Sequence, residues 1–260
     1  MRLNMIIVIL LALSSCRNES QSSATAETDP GFNLVEKSFR KDINCKNLTT
    51  SCYVVTIDYL RSNSSDSLST TINEYLLDYL DDFLASEIVV EDDDIDLYIK
   101  NMVEANAKSY KEEDGTFEID IDMESYLQND NITCIRLSYY QYAGGAHGNA
   151  GVGYHIFDNA SARLLTNSDI IDNDVAFKEL VLQAIKDSAE EDLEDLGYFI
   201  SDEEFEINDN IGVSADSLFI SYVPYEIAPY VAGFTNVAFS RQEVKDMLLP
   251  SFVENWSTSE

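Results

Sequence analysis

Phe117-Glu118-Ile119-Asp120-Ile121-Asp122-Met123-Glu124 alternates apolar and acidic residues without interruption. Successive side chains of a strand point to opposite faces. One face of this segment is therefore core, and the other is a ladder of four carboxylates. Alternation of this kind belongs to an antiparallel sheet covered on one side and wetted on the other. The strand is placed over residues 116–126, and Ile132 to Tyr142 follows as the next strand. The carboxylate ladder can face a cationic ligand, although a merely solvated face is the commoner use of such a row.

Working outward toward the N-terminus, Phe32–Lys41 and Tyr53–Leu60 read as strands, with Val54-Val55-Thr56-Ile57 strongly β-prone. Asp66 or Ser67 caps a helix over Leu68–Ser86, whose apolar residues recur at three- and four-residue steps. Glu91-Asp92-Asp93-Asp94 marks the start of a second helix that runs to about Lys111. These four acids lack the glycine that an EF-hand loop places at its sixth position, so they read as capping charge rather than a calcium site.

Toward the C-terminus, Ala162–Leu165 is a short strand, and Asn173 or Asp174 caps a helix to about Glu190. Phe205–Val213, Ser217–Val223 and Val237–Phe239 are strands, and Ser240 caps a closing helix over Arg241–Leu249. Residues 251–260 read as a loose tail. The pattern predicts an α+β protein: an N-terminal α/β unit over 32–142, followed by a second α+β domain with mostly antiparallel sheet over 143–250.

The chain has 260 residues, with 48 Asp plus Glu against 16 Lys plus Arg, for a net charge of −32. That balance excludes nucleic acid, whose phosphates need basic partners, and argues against docking on an anionic membrane surface. It fits a cationic partner. Arg2 and the apolar run Met5–Leu13 lead into Leu13-Ser14-Ser15-Cys16, which resembles a bacterial lipobox. The resemblance implies a signal peptide over 1–15, lipidation of Cys16, and attachment to the membrane through that lipid alone, facing the periplasm or exterior. Residues 16–31 then serve as a flexible polar tether. An oxidising compartment allows Cys45 and Cys52, which flank a short polar segment, to form a disulfide. Cys134, inside an apolar strand, reads as a buried thiol.

Tyr139 to Ile156 concentrates the residues with chemical potential. It holds five of the ten glycines, both histidines (His147 and His155) and the tyrosines Tyr139, Tyr140, Tyr142 and Tyr154. The glycine run has no lysine and opens no helix, so it is not a phosphate cradle. The sequence has no Gly-x-Ser-x-Gly elbow and no His-Glu-x-x-His pair. It has too few soft ligands at close spacing for a zinc site. No metal or cofactor is expected. Tyr140 and Tyr142 share one strand face, and Asn149-Ala150-Gly151 suits a turn into Gly153–Phe157. His147 is either a hydrogen-bond staple or a general base.

Tyr140-x-Tyr142-x-Gly144-Gly145-Ala146-His147-Gly148 and the later block Leu218–Gly233, with Tyr222, Tyr225 and Tyr230, together resemble the extracellular domain of RsiV-type anti-sigma factors and the non-catalytic part of PdaC-type deacetylases. The resemblance extends over nearly all of 32–250. It implies an extracytoplasmic module that binds lysozyme or peptidoglycan. The chain departs from RsiV in carrying a lipobox in place of a transmembrane helix. It departs from PdaC in having no His-x3–5-His pair of the kind that holds the catalytic metal, so the deacetylase activity is not carried over. The reading is a non-catalytic binding lipoprotein with Tyr140, Tyr142, His147, Tyr154, Tyr225 and Tyr230 as candidate ligand contacts. The alternative is an envelope-polymer hydrolase or esterase that uses His147.

Overall fold

In the computed structural model of the chain, residues 33–45, 51–84, 94–111, 115–189, 192–201 and 205–257 are described. The signal segment, Cys16, the tether and the acids Glu91–Asp93 lie outside the described residues.

Strands β1 (Leu34–Ile43) and β2 (Tyr53–Ser62) form an antiparallel pair, closed just beyond its end by a Cys45–Cys52 disulfide. Helices α1 (Ser67–Leu84) and α2 (Ile95–Ser109) follow. Asp66 caps α1 by accepting from Ser69 N at 2.8 Å, and Asp94 caps α2 by accepting from Asp96 N and Leu97 N. β3 (Phe117–Gln128) then lies parallel to β2. That is the connection two intervening helices permit, whereas a short hairpin gives only antiparallel neighbours. The alternating strand therefore has one parallel and one antiparallel neighbour, not two antiparallel ones.

β4 (Ile132–Tyr142), β5 (Asn149–Asp158) and β6 (Arg163–Leu164) add in antiparallel order and complete a mixed six-stranded sheet. The boundary expected at 142/143 falls inside this sheet, because β5 and β6 continue its hydrogen bonding beyond that point.

One sheet face packs on α1 and α2. Val55, Ile57, Ile119, Ile121, Ile135 and Leu137 join Leu76, Leu80, Ile99 and Val103 in a buried core. Burying such a side chain stabilises by roughly 1.5–3 kcal/mol. The opposite face is covered at one end only. There Ile132, Cys134 and Ile156 enter a second core with Phe177, Val181, Ile220 and Trp256.

That second core is built from α3 (Asn167–Ile170), α4 (Asp174–Ser188), an antiparallel sheet of β7 (Ile211–Val213), β8 (Ser217–Tyr222) and β9 (Thr235–Ser240), and the short helices α5 (Arg241–Val244) and α6 (Pro250–Trp256). Two expectations are corrected here. The strand expected over Phe205–Val213 is reduced to Ile211–Val213, because Asn208 and Asn210 bond through their side chains instead of continuing a ladder. Asn210 Nδ2 donates to Val152 O, and its Oδ1 accepts from Tyr154 N, both at 2.8 Å. The tail is not loose up to Trp256. Pro250 occupies the first turn of α6, where its missing N–H costs nothing. Phe252 and Trp256, four residues apart, face the core. Trp256 is fully buried, and its Nε1 donates to Ser214 O at 2.6 Å.

Candidate functional site

The β4–β5 hairpin carries the glycine run. Gly144 and Gly145 turn the chain with φ of +91° and +103°, a region closed to most side chains. Gly148 serves a different purpose. A Cβ there would stand 2.4 Å from Tyr140 Cε2, so only glycine lets the Tyr140 ring lie against the backbone.

Two side chains meet on the carbonyl of Gly148: Tyr230 Oη donates to it at 2.9 Å, and His147 Nδ1 donates to it at 2.9 Å. A carbonyl only accepts, so Nδ1 of His147 carries a proton. The His147 ring stacks on Tyr230, with centroids 4.0 Å apart and planes 24° from parallel. Tyr225 lies next to Tyr230, with centroids 5.7 Å apart. Tyr225 is 62% exposed and holds a left-handed φ of +72°, an unfavourable conformation for an aromatic residue.

Tyr140, His147, Tyr225 and Tyr230 thus converge on one exposed surface, with the solvent-facing Val231 and Phe234 beyond them. Tyr142 supports the loop by donating from Oη to Gly145 O at 3.1 Å. Tyr154 is not part of this group. It sits in the middle of β5 and packs with Tyr126 and Phe219. Tyr222 is buried, and its hydroxyl reaches Glu206 O. Among the described residues no carboxylate bonds to His147, and no group of three His, Cys, Asp or Glu is placed to hold a metal. His155 lies under α1, with Nδ1 2.8 Å from the Tyr75 hydroxyl, and burial lowers its pKa to about 4. Burial raises the Cys134 thiol to about 12.

The uncovered part of the large sheet adjoins the aromatic group. Register places Glu118 beside Tyr142, Asp120 beside Tyr140, Asp122 beside Ser138 and Glu124 beside Arg136. Directly opposed residues on one face have Cβ atoms about 5 Å apart, so each tyrosine has a carboxylate neighbour. On β2, Asp58 stands opposite Asp122. Arg136 pairs with Glu124 at 2.7 Å and Asp122 at 3.4 Å. Burial and then Glu124 raise the pKa of Asp122, with Asp58 and Asp120 adding and Arg136 opposing, as a surplus of negative charge requires. Glu118 also helps to raise the pKa of Tyr140, after burial.

Where this face meets β8 and β9 there is a cleft of about 360 Å³, lined among others by Tyr126, Arg136, Ser138, Tyr154, Phe234 and Asn236. Sequence reading missed Arg136, Phe234 and Asn236 as surface-forming groups. Arg136 is a lone base in an apolar strand, which was a usable signal. Phe234 and Asn236 reach the cleft only through the packing of one sheet against the other.

Residues 46–150 match the family model described as Deacetylase PdaC, and residues 168–242 match one described as Protein of unknown function (DUF3298). No curated protein matches the chain. Among solved structures, a member of the DUF3298 family from Bacteroides fragilis is 18% identical with a TM-score of 0.68, over 87% of this chain and 97% of that one. A DUF3298-family protein from Pseudomonas aeruginosa is also 18% identical, with a TM-score of 0.62, over 89% of this chain and 99% of that one. At this identity the likeness carries the fold alone. The chain thus carries a segment similar to the PdaC model ahead of one similar to the DUF3298 model, in keeping with the PdaC-like and RsiV-like extracellular arrangement that its motifs resemble.

Proposed function

We propose that this protein is a non-catalytic binding lipoprotein of the cell envelope that captures an envelope glycan, such as peptidoglycan, or a cationic protein, such as lysozyme. The observation that carries the reading is the convergence of Tyr140, His147, Tyr225 and Tyr230 on one exposed surface beside the carboxylates of β3. Exposed aromatics supply stacking area with polar tips. A surrounding negative field speeds encounter with a basic partner and weakens with salt. The PdaC match supports an envelope location, and attachment through lipidated Cys16 is part of the proposal. His147 acts here as a stacking and hydrogen-bonding residue, since its Nδ1–H and ring face are both engaged.

The test is calorimetry and pull-down of the protein with lysozyme and with peptidoglycan fragments, at low and raised salt. Capture of one of them, abolished by Tyr230→Ala and weakened by salt, is the expected result. Failure to bind either at low salt overturns the reading.

A further inference from the structure

We infer that β1 is a pairing edge through which two copies of this chain join their large sheets, in one register centred on Ser38. The inference goes beyond the binding function proposed above and does not depend on it.

β1 is the terminal strand of the six-stranded sheet, and among the described residues it pairs only with β2. All ten of its residues hold an unbroken antiparallel register against β2, with no proline and no bulge. In an antiparallel ladder alternate residues turn their backbone N–H and C=O away from the neighbour. A straight edge of this length therefore offers a row of donors and acceptors to another strand.

Charged side chains on an edge ordinarily keep strands apart, because like charges meet across the new ladder. On β1 the charges instead select one arrangement. A second copy related by a two-fold axis runs antiparallel and sets the residue at the axis opposite itself. A centre at Glu36, Lys37, Arg40, Lys41 or Asp42 sets a charge against its own copy. A centre at Phe39 sets Lys37 against Lys41 and Glu36 against Asp42. Centres at Leu34, Val35 and Ile43 leave too little overlap for a ladder. A centre at Ser38 opposes Glu36 to Arg40 twice and directly opposes no like charges. Glu36 and Arg40 are both exposed. On the other face Lys37 and Lys41 meet Phe39 and Val35, with their charge already balanced by Asp96 and Glu104 of α2.

The edge is also a place where two copies repel weakly. The whole chain holds 16 Lys plus Arg against 48 Asp plus Glu, whereas β1 holds three bases against two acids. Net charge keeps copies of an acidic protein apart, and the repulsion is least where bases outnumber acids. A two-fold axis perpendicular to the sheet leaves both open faces on the same side, where one polymer can engage two copies.

The test is sedimentation equilibrium of the full chain, which is expected to show a reversible monomer–dimer equilibrium. Glu36→Arg and, separately, Arg40→Glu each bring like charges together twice and should weaken the dimer about tenfold, or about 1.4 kcal/mol. The double reversal, Glu36→Arg with Arg40→Glu, restores the opposite-charge pairs and should restore the dimer. Under mild oxidation Ser38→Cys should link two chains, because that position meets its own copy with Cβ atoms about 5 Å apart. Asp42→Cys, roughly 27 Å from its copy along the same ladder, should not. All four positions are exposed, so the substitutions leave the core untouched. A chain that stays monomeric at every concentration overturns the inference. So does a dimer that both single reversals leave intact, one that the double reversal fails to restore, or one that links through position 42 as readily as through position 38. Capture of lysozyme or peptidoglycan by a chain that remains monomeric leaves the proposed function standing alone. A dimer that captures neither overturns the proposed function and leaves the pairing edge standing.

Discussion

The imidazole of His147 lies on the ring of Tyr230 at 4.0 Å, and both side chains donate to the same acceptor, the carbonyl of Gly148. This joint ties the β4–β5 hairpin to the segment before β9. Tyr230→Phe removes one of the two donors and keeps the stack. It is expected to cost about 1 kcal/mol in stability and to weaken ligand capture only slightly. Tyr230→Ala removes the stack as well and should abolish capture. Chemical denaturation and calorimetry on the two variants check the difference.

Two glycines that face tyrosine rings should respond differently to alanine. At Gly148 the added Cβ meets the far end of Tyr140, a partly exposed ring that can swing away. Gly148→Ala should therefore lower binding more than stability. At Gly212 the added Cβ meets Tyr154 near its root, at Cγ and Cβ, within a strand. Gly212→Ala should destabilise by about 1–3 kcal/mol through overpacking. The measurement is the denaturation midpoint, with an unchanged slope.

Tyr225 holds a left-handed backbone while most of its ring faces solvent. Strain of this kind persists where it serves a site. Tyr225→Gly relieves roughly 1 kcal/mol of backbone cost and loses little buried area. Thermal unfolding should show equal or higher stability, and titration should show weaker capture. A variant that loses stability and keeps its binding would contradict this account.

His155 sets an acid limit. Burial lowers its pKa from the ordinary 6.5 to about 4. Below pH 6.5 the unfolded chain takes up a proton that the folded chain refuses. The contribution is therefore complete above pH 6.5 and is lost as pH falls toward 4. The total is roughly 3 kcal/mol at 1.36 kcal/mol per pH unit. His155→Phe should flatten the stability profile over that window in denaturant titrations run at stepped pH.

The C-terminal helix should behave as part of the core. Trp256 is fully buried, donates to Ser214 O and lies under the Arg241 guanidinium, 4.8 Å from the ring centroid. Trp256→Ala is expected to cost about 3–5 kcal/mol, read from equilibrium unfolding. A chain cut after Leu249 should lose a comparable amount.

Local signals were enough to fix most elements. Alternation in 117–124, steps of three and four in α1 and α2, and the capping acids Asp66 and Asp94 placed strands and helices within a few residues. They work from sequence because the pleat and the helical turn impose fixed periods on any chain that buries one face. Where side chains replaced backbone partners, as at Asn208 and Asn210, period alone over-extended a strand. At Pro250 the same residue type that ends helices opened one, and only the buried pair Phe252 and Trp256 distinguishes the two cases.

The sequence by itself determined the α+β class, the acidic balance, the carboxylate ladder and the glycine hairpin, all of which follow from local pattern and composition. Only the tertiary structure decided that β2 and β3 run parallel, that β5 completes the first sheet, and that Tyr140, His147, Tyr225 and Tyr230 share one surface while Tyr154 does not. Those relations join residues up to about eighty positions apart, such as Gly148 and Tyr230. They are set by how two cores pack against opposite faces of one sheet, which no local period encodes.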